Sequence, residues 1–174
     1  MQELYNQVLK LGCQLKHASD NAMVQTHAWG YNGFKRMHEV LCEYLDYWCR
    51  KLEKEMRDEH ELSPALTHMP YAAYQVTDIK NHAHTWYQTI KDACTQISTL
   101  NTQMMQTTGK QSCIMKQFVN CLYKMKQIAW RFIKRGEHCQ WMEHDIHVYD
   151  DRLHDKMKCI QKRIDKVMKK KWRH

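Results

Sequence analysis

Apolar residues recur at alternating steps of three and four through most of the chain, the spacing of helices that bury one face against partners. Leu4, Val8, Leu11, Leu15 and Ala18 mark a first helix. Phe34, Met37, Leu41, Tyr44, Trp48 and Leu52 mark a second. The cleanest stripe is the third, Ile79, Ala83, Trp86, Ile90, Ala93, Ile97, Leu100 and Met104. A fourth runs Ile114, Phe118, Cys121, Met125, Ile128 and Phe132. A fifth runs Met142, Ile146, Tyr149, Leu153, Met157, Ile160, Ile164 and Val167. Polar breaks carrying Gly, Pro or Ser/Thr fall at Gly30–Gly33, 60–75, 107–112 and Gly136, the usual punctuation of helices. Helices of roughly 25 to 32 residues, about 40 to 48 Å long, are expected. No alternating strand pattern competes, so the fold class is all-α.

Five Gly and two Pro in 174 residues leave little material for turns and agree with a few long helices. The fourth and fifth stripes stay nearly in phase across Gly136, and one glycine costs a helix only about 1 kcal/mol. The polar neighbours in Arg135-Gly136-Glu137-His138 favour a break there. The expected organisation is a four-helix bundle over 1–136 and a basic helix over 137–174, packed on the bundle or extending from it. No basic region followed by an apolar block opens the chain, and no run of eighteen apolar residues occurs. The eight cysteines form no C-x-x-C pair and read as free thiols in a reducing compartment, which points to the cytoplasm.

Candidate chemistry begins in the first turn, HAWGYNGFKRMHE, where His27 and His38 flank a Trp, two Gly and a Phe. A turn needs the glycines; it does not need the histidines. On a helical wheel His38, Cys42, Asp46 and Glu53 share a stripe beside the second seam and outside the core. Imidazole, thiol and carboxylate at such spacing can ligate iron or zinc between helices or subunits. The chain here resembles the Dps-type mini-ferritins, which oxidise and store iron and often coat DNA. The resemblance rests on His27, Trp29, Gly30, Gly33, Phe34, His38 and Glu39, then Pro64 and Thr67, then Tyr74, Asp78 and Ile79, then Trp130. It spans about residues 3–135.

This resemblance implies a ferritin-like up-and-down four-helix bundle, a homo-oligomeric cage of twelve subunits, and iron sites shared between subunits. Its ligands would be His27, His38 and Glu53, with Cys42 standing where the family has an Asp and Asp46 one turn on as a substitute. Arg57 stands where the family has a Glu, so the implied site is altered.

A second face on the fifth helix, Glu143, His147, Asp151 and His154, has the spacing of a surface Zn²⁺ or Cu²⁺ site and equally that of solvated acid–His pairs. Charge singles out the end of the chain. From 152 to 174 there are ten Lys/Arg against two Asp, and the remainder sums to zero. Lys162, Arg163, Lys166, Lys169, Lys170, Lys171 and Arg173 read as a face for DNA or another polyanion, bound through phosphates without regard to sequence. An anionic membrane would attract the same helix, with Trp172 as anchor. No G-x-S-x-G, P-loop or H-E-x-x-H occurs and no catalytic residue is assigned, so a ferroxidase is the one enzymatic reading. The expectation is a Dps-like iron- and DNA-binding bundle. The competing reading is a non-enzymatic bundle, drifted or designed, with a basic surface helix and no metal chemistry.

Overall fold

The computed structural model describes residues 2–59, 78–110 and 113–172, with side chains placed over 3–55, 78–110 and 113–166. Among them are five α-helices and no strand: α1 (Gln2–Ala28), α2 (Asn32–Glu59), α3 (Ile79–Thr108), α4 (Cys113–His138) and α5 (Glu143–Trp172). Pro64, Thr67, Tyr74, Arg173 and the side chains of Arg57 and Lys169–Lys171 lie outside the described residues.

The predicted seams close on one core. Val8, Phe34, Leu41, Trp86, Ile90, Ile97, Phe118, Met125 and Phe132 are all buried, and α5 adds Ile146, Leu153, Met157 and Ile164. Met142, expected to open the fifth seam, instead precedes α5 and is 60% exposed.

Helix ends follow local chemistry. Gly30 takes φ +79°, where a side chain would be strained, and Tyr31 donates its N–H back to the Thr26 carbonyl at 2.9 Å, closing α1. Asp78 caps α3 by accepting from the Asn81 amide at 2.8 Å. Gly109, at φ +69°, ends it. Gly136 does not end α4, which runs on to His138. The break falls at 139–142, where Gln140 and Trp141 take positive φ. Gly136 is instead a seat for the Trp141 ring, since a Cβ there would lie 2.5 Å from that indole. The glycine lets the chain fold back over α4, and the stop follows one turn later.

Contacts along the helices set their directions. Early α1 faces late α3 across a cavity lined by Gln7, Lys10, Thr95 and Thr99, while Trp29 at the other end meets His82 at the start of α3. Phe34 in early α2 meets both His82 and Phe132, the latter in late α4. So α1 is antiparallel to α2 and α3, α4 is antiparallel to α2 and α3, and α2 and α3 run parallel across the bundle diagonal. Strict up-and-down alternation, expected from the sequence, therefore fails at one step. The chain leaves α2 at one end of the bundle and enters α3 at the other. Each neighbouring pair still buries its seam, so the core does not require alternation.

Helix α5 packs mainly on α2, parallel to it, and touches its chain neighbour α4 only lightly. Two polar contacts fix its register. The buried Asp150 carboxylate accepts from the Gly33 and Phe34 amides at 2.9 and 2.8 Å, and Gln161 donates to Glu43 at 2.6 Å. The first turn of α2 contains no acid of its own. Asp150 thus satisfies otherwise orphaned helix-end donors from outside the helix. Gly33 permits the approach, because a Cβ there would collide with the Asp150 carbonyl oxygen.

Candidate nucleic-acid interface

The five residues expected to ligate metal are dispersed. His27 is exposed at the end of α1. His38, expected outside the core, is fully buried within it. Its Nε2 lies 3.3 Å from Nε2 of His82, close enough for one neutral ring to donate to the other. Phe34 and Trp86 pack edge-on against the His38 ring. Burial, and then the neighbouring His82, holds His38 well below the ordinary histidine pKa; burial lowers His82 to about 4. The wheel misplaced His38 because the stripe beside the α2 seam points toward α3 and α1 and not to solvent, with His82 and Trp86 of α3 closing over the ring.

Cys42 and Asp46 face α1. The Cys42 thiol lies 3.3 Å from an Asp20 carboxylate oxygen; burial first and that carboxylate second push its pKa up to about 12, which disfavours the thiolate a metal requires. Asp46 binds Lys16 at 2.6 Å and Arg50 at 3.7 Å. Glu53 sits close enough to Cys13 and Cys49 for its charge to help raise both thiols, behind burial as the main cause.

The second face divides in a similar way. His147 stacks on Tyr31 at 4.3 Å between centroids and lies 3.8 Å from Glu143, whereas Asp151 and His154 border a hollow with Asn32, Lys35, Arg36 and Glu39. Among the described residues no three His, Cys, Asp or Glu side chains converge as a metal site would need. All eight cysteines are free thiols.

Where metal ligands scatter, cations gather. Between α4 and α5 lies an open cavity of about 520 Å³ whose walls carry Arg131, Lys134, Arg135 and His138 from one helix and Arg152 and Lys156 from the other. Tyr149 and Leu153 form its apolar floor, with the Arg135 guanidinium 5.6 Å from the Tyr149 ring. Among the described residues one ion pair involves these cations, Lys134 with Glu137 at 3.3 Å; Asp155, exposed beside Lys156 in the chain, lies outside the cavity lining. Lys156 is held below the usual lysine pKa, first by burial and then by the charges of Arg131 and Lys124.

Farther along the same two helices a second cavity of about 420 Å³, walled also by Tyr44, Tyr47 and Trp48 of α2, includes Lys124 and Arg163 in its lining. From His138 to Lys124 the basic residues of the two cavities span about 21 Å of α4 at 1.5 Å per residue. Lys162 and Lys166, expected to bind DNA, are exposed farther along α5.

Sequence reasoning found the α5 wall and missed the α4 wall. A signal was present, since α4 holds six Lys/Arg against one Glu. Summing charge over residues 1–151 concealed it, because Glu143, Asp145, Asp150 and Asp151 at the start of α5 offset most of the bases of α4.

Both helices that border the first cavity present positive charge to it, which gives this side of the molecule a positive potential. No helix among the described residues is long and apolar enough to cross a membrane. Compared with family models and with curated proteins, the chain matches none.

Proposed function

We propose that this protein binds polyanions, nucleic acid foremost, through the α4/α5 channel and the basic continuation of α5, without reading base sequence. The observation that carries the reading is the cluster of five Arg/Lys side chains lining one cavity, with one ion pair to an acid, Lys134–Glu137, among the described residues. Five phosphate contacts correspond to a salt slope of about −3.5 on a single strand, or roughly a 100-fold loss of affinity between 50 and 200 mM salt. Eight free thiols suit a reducing, cytoplasmic setting.

The test is nucleic-acid binding against salt for the parent, Arg131→Ser/Lys156→Ser, and Lys169→Ser/Lys170→Ser/Lys171→Ser. The channel variant should flatten the slope by about 1.4 to 1.8, two phosphate contacts' worth. An unchanged slope in that variant, with loss in the tail variant, would move the site to the end of α5.

A Dps-like reading, with iron as the substrate of a homo-oligomer, draws support from one observation. Helices α2 and α3 run parallel, so a single long crossover joins two antiparallel pairs, the connectivity of ferritin-like folds. A metal site would then need a partner subunit's ligands, because one chain brings no three together among the described residues. His38 is committed to His82 in the core, which leaves exposed His27 as the ligand to test. Solution mass and Fe²⁺ oxidation, parent against His27→Ala, decide it. A cage whose oxidation falls in the variant supports the iron reading, and a monomer without oxidation leaves a non-enzymatic bundle that binds polyanions.

A further inference from the structure

Two large aromatic side chains stand exposed on the outer face of α4, Tyr123 at 50% and Trp130 at 41%. They lie seven residues apart, hence nearly in line along the helix and about 10.5 Å from each other. Each carries an ammonium over its ring: Lys126 at 4.7 Å from the Tyr123 centroid and Lys134 at 4.3 Å from that of Trp130. Lys134 also lines the cationic channel. One side chain therefore belongs to both features, and the aromatic stripe adjoins the channel through Lys134. Tyr87 of α3 flanks Trp130 at 5.1 Å, with the rings inclined at 39°, and supports the indole from the side.

We propose that this face binds single-stranded nucleic acid, with the sugar-phosphate backbone in the α4/α5 channel and bases stacked on Trp130 and Tyr123. The inference rests on the polyanion reading above and narrows it. Phosphate neutralisation alone does not distinguish one strand from two. Exposed aromatic faces beside the channel do, because a base can stack on a ring only when it is free of its own duplex. On binding, Lys134 leaves the indole face for a phosphate and a base takes its place. The cation over the ring in the free protein keeps an exposed tryptophan solvated, and the same cation neutralises the strand when it arrives. Every base has a π-face, so the preference is for strandedness and not for sequence.

The experiment measures affinity of the full chain for a fluorescent dT₁₂ strand and for a fluorescent 12-base-pair duplex, each across a salt series. Heparin, which has charge and no bases, serves as a third probe. The parent should bind dT₁₂ more tightly than the duplex. Trp130→Ala, a change at an exposed position, should weaken dT₁₂ binding about five- to 150-fold and leave its salt slope, duplex binding and heparin binding unchanged. Trp130→Phe, which keeps a stacking face, should recover most of the loss. Equal weakening toward all three probes, or no change toward dT₁₂, would overturn the stacking proposal and leave the polyanion reading standing. Failure of the parent to bind any probe would overturn both.

Discussion

Replacing Asp150 with alanine should detach α5 from the head of α2 and destabilise the fold by about 2 to 4 kcal/mol. The Gly33 and Phe34 amides lose their shared acceptor in a buried place, at about 1 to 3 kcal/mol for each unsatisfied donor. Relief of burying a carboxylate offsets part of that. Burial raises the Asp150 pKa, and the two amides, which lower it, do not fully compensate. Asp151 raises it further, while His147 lowers it. For a chain of this length the loss corresponds to a fall of about 5 to 15 °C in Tm. Asp150→Asn keeps one carbonyl acceptor and should cost about half as much. The native state binds the Asp150 proton more tightly than the unfolded chain does. Its contribution is therefore full below the ordinary value of 3.8 and shrinks as pH rises through the raised folded value. Urea unfolding followed by circular dichroism, repeated from pH 4 to 7, reads both effects. The advantage of the parent over Asp150→Asn should narrow as pH rises. A cost below about 0.5 kcal/mol for Asp150→Ala would refute the latch.

Gly33→Ala should be worse than an ordinary overpacking change, at about 3 kcal/mol or more, because its Cβ meets the Asp150 backbone and not a side chain that can swing away; equilibrium unfolding checks it. His82→Leu should soften acid unfolding. Both core histidines titrate lower in the fold than in the unfolded chain, so stability is lost as pH falls from about 6.5 toward 4, at about 1.4 kcal/mol per pH unit for each proton. Removing one ring should reduce the His-dependent slope by about half, and an unchanged slope would mean the pair is not what titrates.

The helices were legible because each presents its apolar residues at a spacing that alternatives cannot imitate. The same pattern misled where a helix is enclosed on several sides. His38 lies off the α2 seam by angle and still ends in the core, because its ring meets His82 and Trp86 of α3 across the bundle diagonal. Gly136 shows a second limit. Its composition says stop, yet its use is to receive the Trp141 ring, a contact that exists only once the chain has turned back on itself. The channel is the plainest case. Its α5 wall appears in any charge count. Its α4 wall emerges only when charge is taken helix by helix, and that the two walls face each other is a tertiary fact. Asp150 gave no local signal at all, since its partners lie 116 and 117 residues away.

The latch and the channel are physically linked, and that linkage carries a last prediction. Helix α5 is held in place by α2, through Asp150 at its start and Gln161 farther on, while the α4 wall it faces has the same sign of charge. Repulsion across the channel therefore works against docking of α5, and the latch works for it. An anion spanning both walls converts the repulsive term into an attractive one, so binding must stabilise docked α5 and docked α5 must favour binding. At a ligand concentration 100 times Kd, binding restricted to the folded state stabilises it by about 2.7 kcal/mol, or roughly 5 to 10 °C in Tm. Asp150 lies outside the channel, yet Asp150→Asn should weaken dT₁₂ binding several-fold, because part of the binding free energy goes to re-docking the helix. The same variant should also regain Tm when the strand is added. Affinity equal to the parent's in Asp150→Asn, alongside the expected loss of stability, would show that α4 alone holds the anion and that the two walls do not act together.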